Sequence, residues 1–199
     1  MQNILYFNTI FQGINIILQL NDGLILEQNF ENIKQSEILV SSLEQVLHDN
    51  GLNYRDINVF TSIVGPGNFT GIKTSLAVLK ALQVSTEAKI ITCNAFDVIS
   101  FAFEFDLIVF DMGTIKYYVK ENNDFYTIYK KDLKTFLEDK KDKKIISNDR
   151  VLNENNIIYS DFTNQKWVDL INYKVKNKLW ADDIKPLYIE EAGITKRKS

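Results

Sequence analysis

Apolar residues run in short blocks over Asn3 to Asn8, Ile14 to Leu20 and Leu24 to Asn29. Blocks of this length, bounded by Asn, Asp and Gly, predict three strands. Asn21-Asp22-Gly23 predicts the hairpin turn between the second and third, because these residues tolerate positive φ. The period then lengthens. Between Ser36 and Asn50, Leu39, Leu43, Val46 and Leu47 form one helical stripe, with Ile38 and Val40 on its flanks. Ser36 is the candidate N-cap, Glu37 suits the first turn, and Gly51 is the stop. A strand from Asn58 to Val64 leads into Gly65-Pro66-Gly67-Asn68-Phe69-Thr70-Gly71, and a second helix runs from Gly71 to Val84. Lys89 to Thr92 predicts a strand, and Asn94 caps a helix through Phe103.

The second half repeats this order. Leu107 to Phe110, Ile115 to Lys120 and Phe125 to Tyr129 predict three strands, with Asn122-Asn123-Asp124 as the last turn. Asp132 to Asp139 predicts a helix, Lys144 to Ser147 a strand, and Thr163 to Lys178 a helix. Two β-β-β-α-β-α patterns in tandem indicate a duplication. They divide the chain into a first lobe, residues 1–103, and a second, residues 104–199, whose short strands and many polar residues mark it as reduced. The order alone leaves several α/β folds open.

The two helices of the first lobe are apolar over more than one stripe. The second carries Ile72, Leu76, Ala77, Val78, Leu79, Ala81 and Leu82, leaving Lys73, Thr74, Lys80 and Gln83 as a narrow polar face. Such helices are buried on two sides. Either another helix of the chain covers them, or a partner protein does.

Composition adds limits. At 199 residues, with 45% hydrophobic and 25% charged residues, the chain is long enough for a real core. The single cysteine, Cys93, permits no internal disulfide, which fits a cytoplasmic location. Neither a signal peptide nor a membrane span is expected. A net charge of −3 argues against a dedicated nucleic-acid binder, although lysines cluster at Lys140, Lys141, Lys143 and Lys144, at Lys174, Lys176 and Lys178, and with Arg197 at Lys196 and Lys198.

The glycine segment poses the chemical question. A glycine-rich turn before a helix suits an anion. Yet Ile72 separates Gly71 from Lys73, so the P-loop spacing fails, and Thr70 stands where the dinucleotide fingerprint needs its third glycine. The other reading is a turn that seats the helix closely on the sheet, with Asn68 or Thr70 as cap. A β-carbon at Gly67 is costly where that position takes positive φ.

The string Gly65-Pro66-Gly67-Asn68-Phe69-Thr70-Gly71-Ile72-Lys73 resembles the signature of the bacterial TsaB (YeaZ) family. Gln35-Ser36-Glu37-Ile38-Leu39, Gly51-Leu52 with Asp56-Ile57, Asp111-Met112-Gly113-Thr114-Ile115-Lys116-Tyr117-Tyr118, and Pro186-Leu187-Tyr188-Ile189 resemble its neighbouring motifs. The resemblance implies the actin/Hsp70/sugar-kinase-like α/β fold. It also implies a noncatalytic scaffold, without cofactor, that binds TsaD together with the ATPase TsaE. That assembly places threonylcarbamoyl on the tRNA adenosine next to the anticodon, so tRNA is met indirectly. The partner-binding residues it implies are Leu39, Leu43, Val46, Leu47, Ile72, Leu76 and Leu79, which also serve a homodimer. Glutamate at Leu43 or Leu76 is then expected to break the complex and spare the fold.

Rival readings are a nucleotide-hydrolysing enzyme and a glycoprotease-like peptidase. The resemblance implies an Asp at the end of the first strand, where this chain has Asn8, and a His where it has Gln35. A neutral carboxamide holds a hard cation less well than a carboxylate does. Asp111 and Lys116 remain as possible nucleotide contacts. His48, the only histidine, has no second histidine for a metal pair, and no motif places it in a triad.

Overall fold

The structure is a computed structural model that describes residues 2–11, 13–31, 34–152 and 154–189. The basic tail Lys196, Arg197 and Lys198 lies outside the described residues.

The first lobe carries β1 (Ile4–Asn8), β2 (Ile14–Gln19), β3 (Ile25–Phe30), α1 (Gln35–Asp49), β4 (Val59–Ile63), α2 (Phe69–Ser85), β5 (Lys89–Cys93) and α3 (Ala95–Ser100). Its sheet has the order β3-β2-β1-β4-β5. β1 and β4 are buried at every position, as central strands covered on both faces must be. Gly23 takes φ +93° at the expected hairpin, and Gly51 takes φ +68° just after α1. Asn94 caps α3 reciprocally with Asp97.

The second lobe carries β6 (Leu107–Asp111), β7 (Lys116–Glu121), β8 (Asp124–Tyr129), α4 (Leu133–Glu138), β9 (Ile145–Ser147), β10 (Ile157–Tyr159) and α5 (Asn164–Lys176). Its order, β10-β9-β6-β7-β8, is the first sheet's order repeated. The reduction is specific. Where α2 joins β4 to β5, no described helix joins β9 to β10, and both of those strands have three residues.

Several expectations are corrected. α1 starts at Gln35 after Lys34, with no side-chain cap, so Ser36 is not the N-cap. The side chain of Gln35 is pulled inward to other partners described below. α2 begins two residues before Gly71. α3 ends at Ser100 rather than Phe103, and Ala102 then takes φ +69°. β10 was not expected, because Ile157 and Ile158 are the only aliphatic residues in a polar stretch.

The larger core sits between the first sheet, its helices and α5. It contains Tyr6, Leu43, Phe60, Leu79, Phe96, Phe110 and Trp167. A second core of Leu107, Val109, Tyr117, Val119, Leu133, Leu137 and Ile145 lies on the α4 side of the second sheet. Residues late in the chain return to the first lobe. Trp167 of α5 meets Tyr6 edge-on at 5.2 Å. Beyond α5, Ala181 N donates to Ile90 O at 2.8 Å, Ile184 is buried, and Leu187 N donates to Val64 O at 2.7 Å. This strap borders β5 and reaches the glycine segment.

Glu121 at the end of β7 accepts from Lys140 Nζ at 2.6 Å and from the Tyr126 hydroxyl at 2.8 Å. Lys140 first, then Tyr126, holds its carboxyl below the usual carboxylate range. Because the folded value is depressed, the stabilisation is full above the unfolded carboxylate pKa and is lost as pH falls through the folded one. In Glu121→Gln, stability measured by urea midpoint should fall less steeply below about pH 4. The pair is partly exposed, so the difference should be under about 1 kcal/mol. Equal acid slopes in both proteins would refute this.

Candidate functional site

The glycine segment, the turn after β1 and the first turn of α1 form one junction. The Gly65–Pro66 peptide is cis and Gly65 takes φ +125°. A β-carbon on Gly65 would strike the Leu187 carbonyl of the strap. One on Gly67 would lie 2.5 Å from Ile10 Cβ and 2.8 Å from Ile10 O. One on Gly71 would strike the Thr9 carbonyl. The three glycines are therefore three points of close approach, one to the strap and two to the turn after β1. Positive φ falls on Gly65 and not on Gly67; at Gly67 the demand is for space.

Hydrogen bonds close the same junction. Asn68 caps α2, its Oδ1 accepting from Thr70 N at 2.9 Å and Gly71 N at 3.2 Å. Asn68 N donates to Ile10 O at 3.1 Å, and Thr9 Oγ1 donates to Gly71 O at 2.8 Å. Asn8, almost fully buried, accepts from Ile10 N at 3.0 Å. Gln35 Nε2 donates to Phe11 O at 2.7 Å and to Gly13 O. The N–H groups of Ile10, Thr70 and Gly71, which a phosphate loop would aim at its ligand, are already engaged.

Across the cleft, Asp111 ends β6. Its carboxylate accepts from Gly113 N at 2.7 Å and pairs with Lys130 Nζ at 2.6 Å. The structure does not give Asp111 and Lys116 to each other; the Lys116 ammonium lies over the Tyr129 ring, 4.9 Å from its centre. A cleft of about 440 Å³ separates the junction from this hairpin, lined by Ile10, Phe11, Gly67, Asn68, Met112, Thr114 and Tyr118. Among the described residues these walls bear no charged group. A wider cleft of about 760 Å³ opens at the far end of the first lobe, between Gln2, Arg55, Asn58, Ser85 and Lys89. It borders the opening ends of the strands, whereas ligands of open α/β sheets gather at the carboxyl ends.

All seven residues expected to meet a partner, Leu39, Leu43, Val46, Leu47, Ile72, Leu76 and Leu79, are buried inside the chain. They belong to the chain's own core. Glutamate at Leu43 or Leu76 would therefore break the core rather than spare the fold. α1 and α2 pack side by side, and each buries a serine, Ser42 and Ser75. At 100° per residue, Ile38 flanks Ser42, and Thr74, Val78 and Ala81 flank Ser75. Ile38, Thr74 and Val78 are half-buried, while Ala77 and Ala81 are exposed. This outer face of small and half-buried residues lies among exposed polar side chains such as Lys73 and Lys80, with Val40 and Val84 exposed elsewhere on the two helices.

The remaining candidates are structural in placement. Cys93 is buried, and burial pushes its thiol up to about 12, far from a reactive thiolate. His48 is exposed near the end of α1. Among the described residues no group of three or more His, Cys, Asp or Glu is placed to hold a metal ion. Of the lysine clusters, Lys140 is tied to Glu121 and Lys174 donates to Thr92 O at 2.9 Å. No described helix is long and apolar enough to cross a membrane.

Two copies of one mixed five-stranded unit, facing across a cleft with a hairpin from each side, define the actin/Hsp70/sugar-kinase-like α/β fold. Within that class the solved structures of YeaZ type share this fold over nearly the whole chain. A Pseudomonas aeruginosa protein described as similar to the peptidase YeaZ matches at TM-score 0.68 and 12% identity, over 96% of this chain and 100% of that one. YeaZ from Pseudomonas aeruginosa matches at TM-score 0.64 and 10% identity, over 94% of this chain and 100% of its own. No family model matches the sequence, and no curated protein aligns with it. At such identities the likeness is one of fold.

Proposed function

We propose that the chain is a noncatalytic subunit of TsaB (YeaZ) type, acting in the cytoplasm as scaffold and activator for a TsaD-type partner, with a TsaE-type ATPase. The modification served is threonylcarbamoylation of the tRNA adenosine next to the anticodon. The observation that carries this reading is the glycine junction. The motif that resembles the family signature is used at every glycine for packing, and it fixes α2 beside α1 with an outer face of small and half-buried residues. The near-full-length fold likeness to YeaZ supports it. The partner, or a second copy of the chain, would dock on Ile38, Thr74, Ala77, Val78 and Ala81, above the seven buried residues.

Mixing the chain with TsaD from the same genome should give a complex on gel filtration. Ala77→Glu with Ala81→Glu places two charges on that face and keeps good helix formers. The double variant should melt within a few degrees of the parent and bind at least about tenfold more weakly, a loss of about 1.4 kcal/mol. Unchanged binding would move the interface elsewhere, and no complex with the parent would sink the reading.

The chain alone should hydrolyse no ATP above background with Mg2+, as followed by phosphate release. Asn8 is neutral, its Oδ1 is turned to its own backbone, and the turn's N–H groups are engaged. Turnover that disappears in Asp111→Asn would favour the nucleotide-hydrolysing alternative.

A further inference from the structure

A second interlobe cleft lies on the other side of Phe11. It measures about 380 Å³ and is lined by Asn8, Phe11, Asn15, Asn29, Asn148, Asp161, Phe162 and Asn164. This is within the range of small-molecule sites, about 300–1,000 Å³. The asparagines come from β1, β2, β3, the loop after β9 and the start of α5, so tertiary structure alone gathers them.

Their hydrogen bonds show what remains for a ligand. Asn148 is held by Asp111, its Oδ1 accepting from Asp111 N at 2.7 Å and its Nδ2 donating to Asp111 O at 2.8 Å. Asn15 Nδ2 donates to Asn29 Oδ1 at 2.7 Å, and Asn164 Nδ2 donates to Glu27 Oε2 at 2.8 Å. Asp161 accepts from Phe162 N and from the Tyr159 hydroxyl, each at 2.9 Å, through different oxygens. This leaves both amide hydrogens of Asn8 and Asn29, and the second amide hydrogen of Asn15, Asn148 and Asn164, as donors. Asn164 Oδ1 and the spare lone pairs of Asp161 remain as acceptors. Asn15, another lining residue, has its Oδ1 buried without a hydrogen-bond partner.

The chemistry of that set is selective. Among the described residues no lysine or arginine lines the cleft, while Asp161 does and Glu27 is bonded to its rim. A phosphate would lose its hydration against carboxylates and gain no cation. Mixed neutral donors and acceptors match hydroxyl groups, each of which both gives and takes a hydrogen bond. Phe11 and Phe162, edge to face at 5.2 Å, add an apolar wall for a C–H face. We propose that this asparagine-lined cleft binds an uncharged polyhydroxylated molecule of monosaccharide size. The site is independent of the partner face on α1 and α2.

Saturation-transfer NMR and calorimetry on the full chain test it, with D-glucose, D-mannose and D-ribose as probes and adenosine and Mg-ATP as competitors. At least one sugar should bind with Kd of about 1 mM or tighter. Asn29→Ala combined with Asn164→Ala should weaken it about tenfold, with TsaD binding and melting temperature little changed. The proposal is overturned if none of the three sugars binds, if the double variant binds as the parent does, or if adenosine or Mg-ATP displaces the sugar at lower concentration.

Discussion

Gly71→Val should lower the melting temperature by about 6–12 °C and weaken TsaD binding with it. The new β-carbon would lie on the Thr9 carbonyl, and Gln35 Oε1 stands 2.9 Å away on another side. Neither neighbour is free to give. Thr9 is bound to α2 through its hydroxyl, and Gln35 holds the carbonyls of Phe11 and Gly13. Overpacking in a rigid site costs about 3 kcal/mol or more. In a chain of this length each kcal/mol shifts melting by about 2–4 °C. Thermal unfolding by circular dichroism reads the result. A Gly71→Val protein that melts with the parent would show that α2 is not seated on the turn.

Leu43→Glu should prevent folding altogether. Leu43 is fully buried in the larger core. Losing the leucine contacts costs about 2–5 kcal/mol. An unpaired buried carboxylate adds several kcal/mol. Their sum rivals a typical stability of about 5–15 kcal/mol. Expression should give insoluble protein, whereas Ala77→Glu with Ala81→Glu should give soluble protein that fails to bind. Soluble, native-like Leu43→Glu would mean that the residue faces a partner after all.

The contrast between those variants shows where the sequence was readable. The stripe of Leu39, Leu43, Val46 and Leu47 is plain at helical spacing, but spacing does not say which surface the stripe meets. The strongest stripe goes to the chain's own core, because that surface is present as the chain folds. The flank residues are left for anything else. The hairpin at Gly23, the stop at Gly51 and the caps at Asn68 and Asn94 were legible because each depends on local backbone geometry. The N-cap at Ser36 misled for a tertiary reason. Gln35 is recruited by two distant carbonyls and carries the helix start with it. β10 was missed because a three-residue strand has no period to detect. The asparagine cleft was invisible, since its members stand far apart in sequence and each, alone, reads as a turn or strand residue.

The strap from Ala181 to Leu187 sets the order of synthesis against the order of completion. Nascent chains generally fold their N-terminal parts first. Here the Val64 carbonyl waits for Leu187 N, and Phe69 waits for Tyr188, whose ring it meets at 4.9 Å. The first lobe can collapse on the ribosome, but its glycine junction is locked only after residues 181–188 have emerged. A ribosome stalled before the strap is made therefore carries a first lobe whose α2 is still unlatched. A latched α2 belongs only to chains that already carry this strap.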